Sequence, residues 1–70
     1  MKEIMIDDIL LYYYEFNVGD LVYPLDNFND RGIVESLDEN GFYVHIKWNK
    51  NNYKKRGRIY TAINLKIVDK

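Results

Sequence analysis

The sequence predicts a small, mainly β domain: a five-stranded barrel preceded by a short N-terminal helix. Three observations point there. From Gly19 onward, short β-branched and aromatic runs recur between Gly, Pro, Asn and Asp residues, which is how strands and their turns read. One run, Phe42 to Trp48, alternates apolar and polar residues without a break. The whole chain is 70 residues with no cysteine, so it makes one domain held by packing without disulfides. Five short strands in so small a chain imply a closed or half-closed barrel, which also hides strand edges.

Residues 1–17 form the helical segment in this reading. Ile6, Ile9, Leu10 and Tyr13 recur at helical spacing, and Asp7 and Asp8 suit a first helical turn. The run Tyr12-Tyr13-Tyr14 pulls the other way, because aromatic residues favour strands. Asn17-Val18-Gly19-Asp20 ends the segment, and residues 18–70 follow as the barrel. Its first strand is Leu21-Val22-Tyr23, stopped by Pro24, and the polar stretch from Leu25 to Arg31 is a loop. Gly32 to Leu37 is the second strand. Asn40-Gly41 marks a tight hairpin, because both residues tolerate positive φ. In the third strand Phe42, Val44, Ile46 and Trp48 share the core face, and Tyr43, His45 and Lys47 share the other. A basic loop runs from Asn49 to Gly57, then Arg58 to Ile63 and Leu65 to Val68 supply the last two strands.

Composition argues against catalysis. The chain holds one histidine, His45, one serine, Ser36, and one threonine, Thr61. His45 has no carboxylate or nucleophile near it in sequence, so it reads as a surface side chain. Asp26 to Gly32 superficially follows a calcium loop, but Phe28 stands where an oxygen ligand belongs and Gly32 comes one residue late. No metal and no cofactor are expected. A charged start followed by a long apolar stretch is missing, so neither a signal peptide nor a membrane span is expected, and the reading is cytoplasmic.

Charge is the most uneven property. The formal net charge is -1, yet residues 1–40 carry ten acids against two bases, and residues 41–70 carry eight bases against one acid. Asymmetry of this size suggests a polyanion-facing side or an acidic side that meets a partner. The basic side is concentrated in Lys47, Lys50, Lys54, Lys55, Arg56 and Arg58, interleaved with Trp48, Tyr53, Asn and Gly. Lys and Arg release counterions from phosphates, and Tyr53 has a face on which an exposed base stacks. DNA or RNA is therefore the expected partner, bound electrostatically with weak sequence specificity. A solvated loop that keeps a small domain soluble explains the same residues.

A family pattern enters with Val18-Gly19-Asp20-Leu21-Val22, Arg31-Gly32-Ile33-Val34 and Gly41-Phe42-Tyr43-Val44-His45-Ile46-Lys47-Trp48, closed by Ile63 to Val68. This arrangement resembles the small Src-homology-3-like (SH3-like) barrels of the Tudor and KOW type over residues 18–68. The resemblance implies a binding module. Tudor domains that read methylated side chains usually carry an aromatic plus acidic or asparagine motif just after the third strand, where this chain has Asn49-Lys50-Asn51-Asn52-Tyr53-Lys54-Lys55-Arg56, which is basic. Methyl-lysine reading is disfavoured on that ground. The KOW-like group of transcription and ribosomal proteins tolerates such a loop, and that likeness implies nucleic-acid contact.

The acidic front half supports an alternative from another class. Asp7, Asp8 and Glu15 beside Tyr12 and exposed Ile and Leu residues make a docking surface for a protein of the transcription or replication machinery. The plainer role for this segment is to cover an open end or edge of the barrel. Trp48 reads as core. Among Tyr23, Phe28, Tyr43 and Tyr60, packing is the expected role of most, with Tyr43 and Tyr60 as candidates for the outer face.

Overall fold

A computed structural model describes residues 1–49 and 56–68. The N-terminal segment is a β-hairpin, which corrects the helix predicted from its periodicity. Strand β1 (Lys2–Ile6) pairs antiparallel with β2 (Ile9–Tyr13), with Ile6 opposite Ile9, Ile4 opposite Leu11 and Lys2 opposite Tyr13. Asp7 and Asp8 are the two-residue turn, at φ 50° and 64°. Two consecutive positive φ values give the turn whose twist matches a hairpin, and short acidic side chains tolerate them. The acids that suit a helix N-terminus suit this turn equally well, and the Ile and Tyr content decides between them.

The remaining strands are β3 (Leu21–Pro24), β4 (Gly32–Leu37), β5 (Tyr43–Trp48), β6 (Ile59–Thr61) and β7 (Leu65–Ile67), with a 3₁₀ turn at Ala62–Asn64. They form one antiparallel sheet in the order β6-β5-β4-β3-β7. The last strand thus returns to the edge of the first. Among the described residues β6 and β7 are not paired with each other, so the sheet is not a closed barrel, which corrects the closed form of that expectation. Each of these edge strands has three residues and the 3₁₀ turn separates them, leaving little ladder with which to close.

The open side is filled by side chains. Val22, Val34, Phe42, Val44, Ile46, Trp48, Ala62 and Leu65 form the core, and Tyr13 and Phe16 from the base of the hairpin are buried with them. Tyr13 packs edge-on to Phe42 at 5.2 Å, and its hydroxyl donates to the Asn40 carbonyl at 2.9 Å. The alternation expected from Phe42 to Trp48 holds residue by residue, with Tyr43, His45 and Lys47 exposed. Gly32 is needed for this packing: a Cβ there would lie 2.7 Å from Trp48 Cε3 and closer still to Ile46 Cγ2.

Two turns differ in detail from expectation. The β4–β5 connection is longer than the Asn-Gly hairpin. The Gly41 amide donates to the Asp38 carbonyl at 3.0 Å, the Asp38 carboxylate accepts from the Phe42 amide at 2.8 Å, and Gly41 alone takes positive φ. The predicted fourth strand, Arg58 to Ile63, shrinks to β6 because Ala62 and Ile63 enter the 3₁₀ turn. Among the described residues no helix is long and apolar enough to cross a membrane.

Candidate nucleic-acid interface

The sheet has two faces of opposite character. One holds the core. On the other, the register places Ile33 opposite both Leu21 and Lys47, and Tyr23 opposite Lys66. Leu21, Ile33, Tyr43, His45 and Lys47 are exposed there, and Lys66 stands exposed on β7. Arg31, just ahead of β4, lies over the Tyr23 ring with its guanidinium carbon 5.5 Å from the centroid, and it donates to the carbonyls of Phe28 and Asp30. Across the five strands the basic residues are Lys47 and Lys66 and the acid is Glu35, at the β4 bulge. Lys47 and Lys66 are in no ion pair among the described residues. Three strand spacings separate them, about 14 Å.

The residues expected to carry nucleic-acid contact divide into three groups. Lys47 is exposed on the outer face, and Arg58 is exposed immediately before β6. Lys50, Tyr53, Lys54 and Lys55 lie outside the described residues. Arg56 is turned inward.

Its guanidinium donates to Asp30 at 2.5 Å, to Asp26 at 2.9 Å and to the Tyr60 hydroxyl at 2.6 Å. The same group lies 5.3 Å from the Trp48 ring centroid and 5.9 Å from that of Tyr60, and these two rings meet edge-on. Burial opposes its charge, but the bonds to Tyr60, Asp26 and Asp30 outweigh that and hold Arg56 more firmly protonated than usual. Asp26 and Asp30, the acids of the rejected calcium loop, thus hold a cation of the chain itself. Trp48 adds an anchor by donating from Nε1 to the Gly57 carbonyl at 2.7 Å. The 56–57 end of the basic segment is therefore fixed to the core, close to where β5 ends at Trp48.

The aromatic residues sort along the same lines. Tyr43 is exposed and Tyr60 is partly buried against Trp48, so only the first reaches the outer face. Phe28 is exposed in its loop and does not pack. His45 is a surface residue opposite Ser36 and Ile59.

The alternative site maps onto the hairpin. Asp7 and Asp8 are exposed at its turn and Tyr12 is exposed on β2, whereas Glu15 sits at the base in an ion pair with Lys2 at 3.1 Å. Towards the turn, Met5 is 61% and Ile9 is 60% exposed, and Ile6 and Leu10 are exposed as well. The hairpin is thus an arm, anchored at its base and apolar on its surface near the tip.

Arg31 and Lys66 were missed as members of one surface. Strand alternation alone gives their facing, but the order β7-β3-β4-β5 is what brings them beside Lys47. No family model, no curated protein and no solved structure matches the chain.

Proposed function

We propose that the chain is a non-enzymatic module that contacts DNA or RNA through the outer face of its five-stranded sheet. The observation that carries this reading is Lys47 and Lys66, exposed and in no ion pair among the described residues, gathered with Arg31 around Tyr23, Ile33 and Leu21. Arg58, exposed just before β6, extends the positive charge, and Lys50, Lys54 and Lys55, which lie outside the described residues, add to it by sequence. The strand order, with the last strand returning to the first, is compatible with an SH3-like domain of the Tudor and KOW type.

The mechanism is electrostatic. Each neutralised phosphate releases counterions, giving a slope of about -0.7 to -0.9 in log affinity against log salt. Tyr43, on the same face of β5 as Lys47, supplies a stacking surface worth about 1–3 kcal/mol for an exposed base. Titration of labelled single- and double-stranded DNA and RNA probes by anisotropy tests the reading. Binding that steepens as salt is lowered supports it, and no binding at low salt with any of the four probes ends it.

A second reading is favoured by a different observation, the exposed apolar arm with Asp7 and Asp8 at its tip. There the module binds a protein through residues 5–12. A pull-down that survives nuclease treatment and is lost on Met5→Ser with Leu10→Ser supports it; retention that ignores those substitutions counts against it.

A further inference from the structure

We propose that the arm of one chain docks on the outer sheet face of a second copy, two reciprocal contacts closing a twofold dimer. This deepens the second reading, because it rests on the arm as a partner-binding element and names the partner; the dimer occupies the face that the first reading gives to nucleic acid, so the two compete for Lys47 and Lys66.

The two surfaces complement each other. On one face the arm presents the cross-strand pair Met5 and Leu10 with Tyr12, and at its tip two carboxylates that form no ion pair among the described residues. The outer face presents Leu21 and Ile33 with Lys47 directly across the strand from Ile33 and Lys66 across from Tyr23. Apolar meets apolar, and acid meets base at the rim, where charge steers association and fixes its geometry. Asp7 and Asp8 on the arm and Lys47 and Lys66 on the face thus stand on separate surfaces, in no ion pair among the described residues.

The arm cannot satisfy the face of its own chain. Tyr13 and Phe16 anchor its base in the core, on the inner side of the sheet, and the basic face is on the opposite side. A second copy has no such constraint, and every chain carries one arm and one face, so the pair is self-complementary and closes.

Size agrees. Met5, Leu10 and Tyr12, which share one face of the arm, together expose on the order of 300 Å², within the range of apolar patches seen on monomers. Two such contacts, counted on both partners, come to about 1,200 Å², the lower end of a stable interface.

Light scattering coupled to size exclusion, with sedimentation equilibrium, tests the proposal on the full chain. Wild type is expected at twice the 8.5 kDa of one chain at low salt. The face variant K47E/K66E and the arm variant M5S/L10S are each expected to be monomers. Mixing them leaves one intact arm and one intact face, so a one-contact heterodimer is expected to return, at lower affinity. All four substituted positions are exposed, and circular dichroism verifies that each variant folds. A gentler arm variant, D7N/D8N, keeps residues that tolerate positive φ and is expected to weaken the dimer at least tenfold. Wild type that stays monomeric into the millimolar range overturns the proposal, whereas the second reading is judged separately by the pull-down. A dimer that survives both K47E/K66E and M5S/L10S also overturns it, since another surface then makes the contact.

Discussion

Replacing Arg56 by alanine separates a structural cation from a ligand-binding one. The guanidinium is held by Asp30, whose side chain is 8% exposed, and by the Tyr60 hydroxyl, and it faces the Trp48 and Tyr60 rings. Its bond to Asp26 contributes little, because that carboxylate is 67% exposed and well screened. Removing one partner of a buried ion pair costs about 3–5 kcal/mol when the other is left uncompensated, and the ring contacts add about 0.5–1 kcal/mol each. Allowing for solvent at the Asp26 edge, Arg56→Ala should cost about 2–4 kcal/mol. A domain of this size gains or loses about 4–8 °C in Tm per kcal/mol, so the midpoint should fall by roughly 10–30 °C. Urea unfolding followed by the fluorescence of Trp48, the single tryptophan, measures it directly. Lys47→Ala in the same assay should stay within about 0.5 kcal/mol, as exposed positions do. An Arg56→Ala protein as stable as Lys47→Ala would refute the assignment of Arg56 to the core.

Other expectations follow from the packing and the turns. Gly32→Ala forces a methyl group against Ile46 and Trp48, both buried, and should destabilise by about 2–3 kcal/mol in the same urea experiment. Asp8 sits at φ 64°, so Asp8→Gly should match or exceed wild type and Asp8→Ala should fall below it, with a span of about 1 kcal/mol read by thermal melting. Lys2→Ala breaks an exposed ion pair with Glu15 and should change stability by less than about 1 kcal/mol.

The middle of the chain was legible because its strands are buried on one face only. In Phe42 to Trp48 the period of two is the sheet itself, and every facing followed from it. The N-terminal hairpin was not, for the opposite reason. Ile4, Ile6, Ile9, Leu11 and Tyr13 on one face are matched by Met5, Leu10 and Tyr12 on the other, so no period of two appears and the spacing of Ile6, Ile9, Leu10 and Tyr13 fits a helix instead. Closure of the barrel failed on lengths: β6 is three residues and β7 one residue shorter than its sequence run, which leaves little ladder to close.

The candidate surface was legible in part. Lys47 could be placed outward by local alternation. Arg31 and Lys66 join it only through pairing between the first and last strands of the sheet, and no local pattern encodes that. Arg56 reads as one more base in a basic run, and the acids that turn it inward lie 30 and 26 residues earlier.

Behind the near-neutral charge of the chain, the structure displays an acidic arm tip and a basic sheet face, and it pairs Arg56 with Asp26 and Asp30. The most direct test of the basic face is the salt dependence of nucleic-acid binding by wild type and by K47E/K66E, which keeps Arg56 and the core intact. Wild type should lose affinity with a log–log slope of about -2 or steeper between low and physiological salt, as expected for two or more phosphate contacts. The variant should bind at least tenfold more weakly, with a slope flatter by about 1.5. Equal affinity and equal slope in the two proteins would contradict the account.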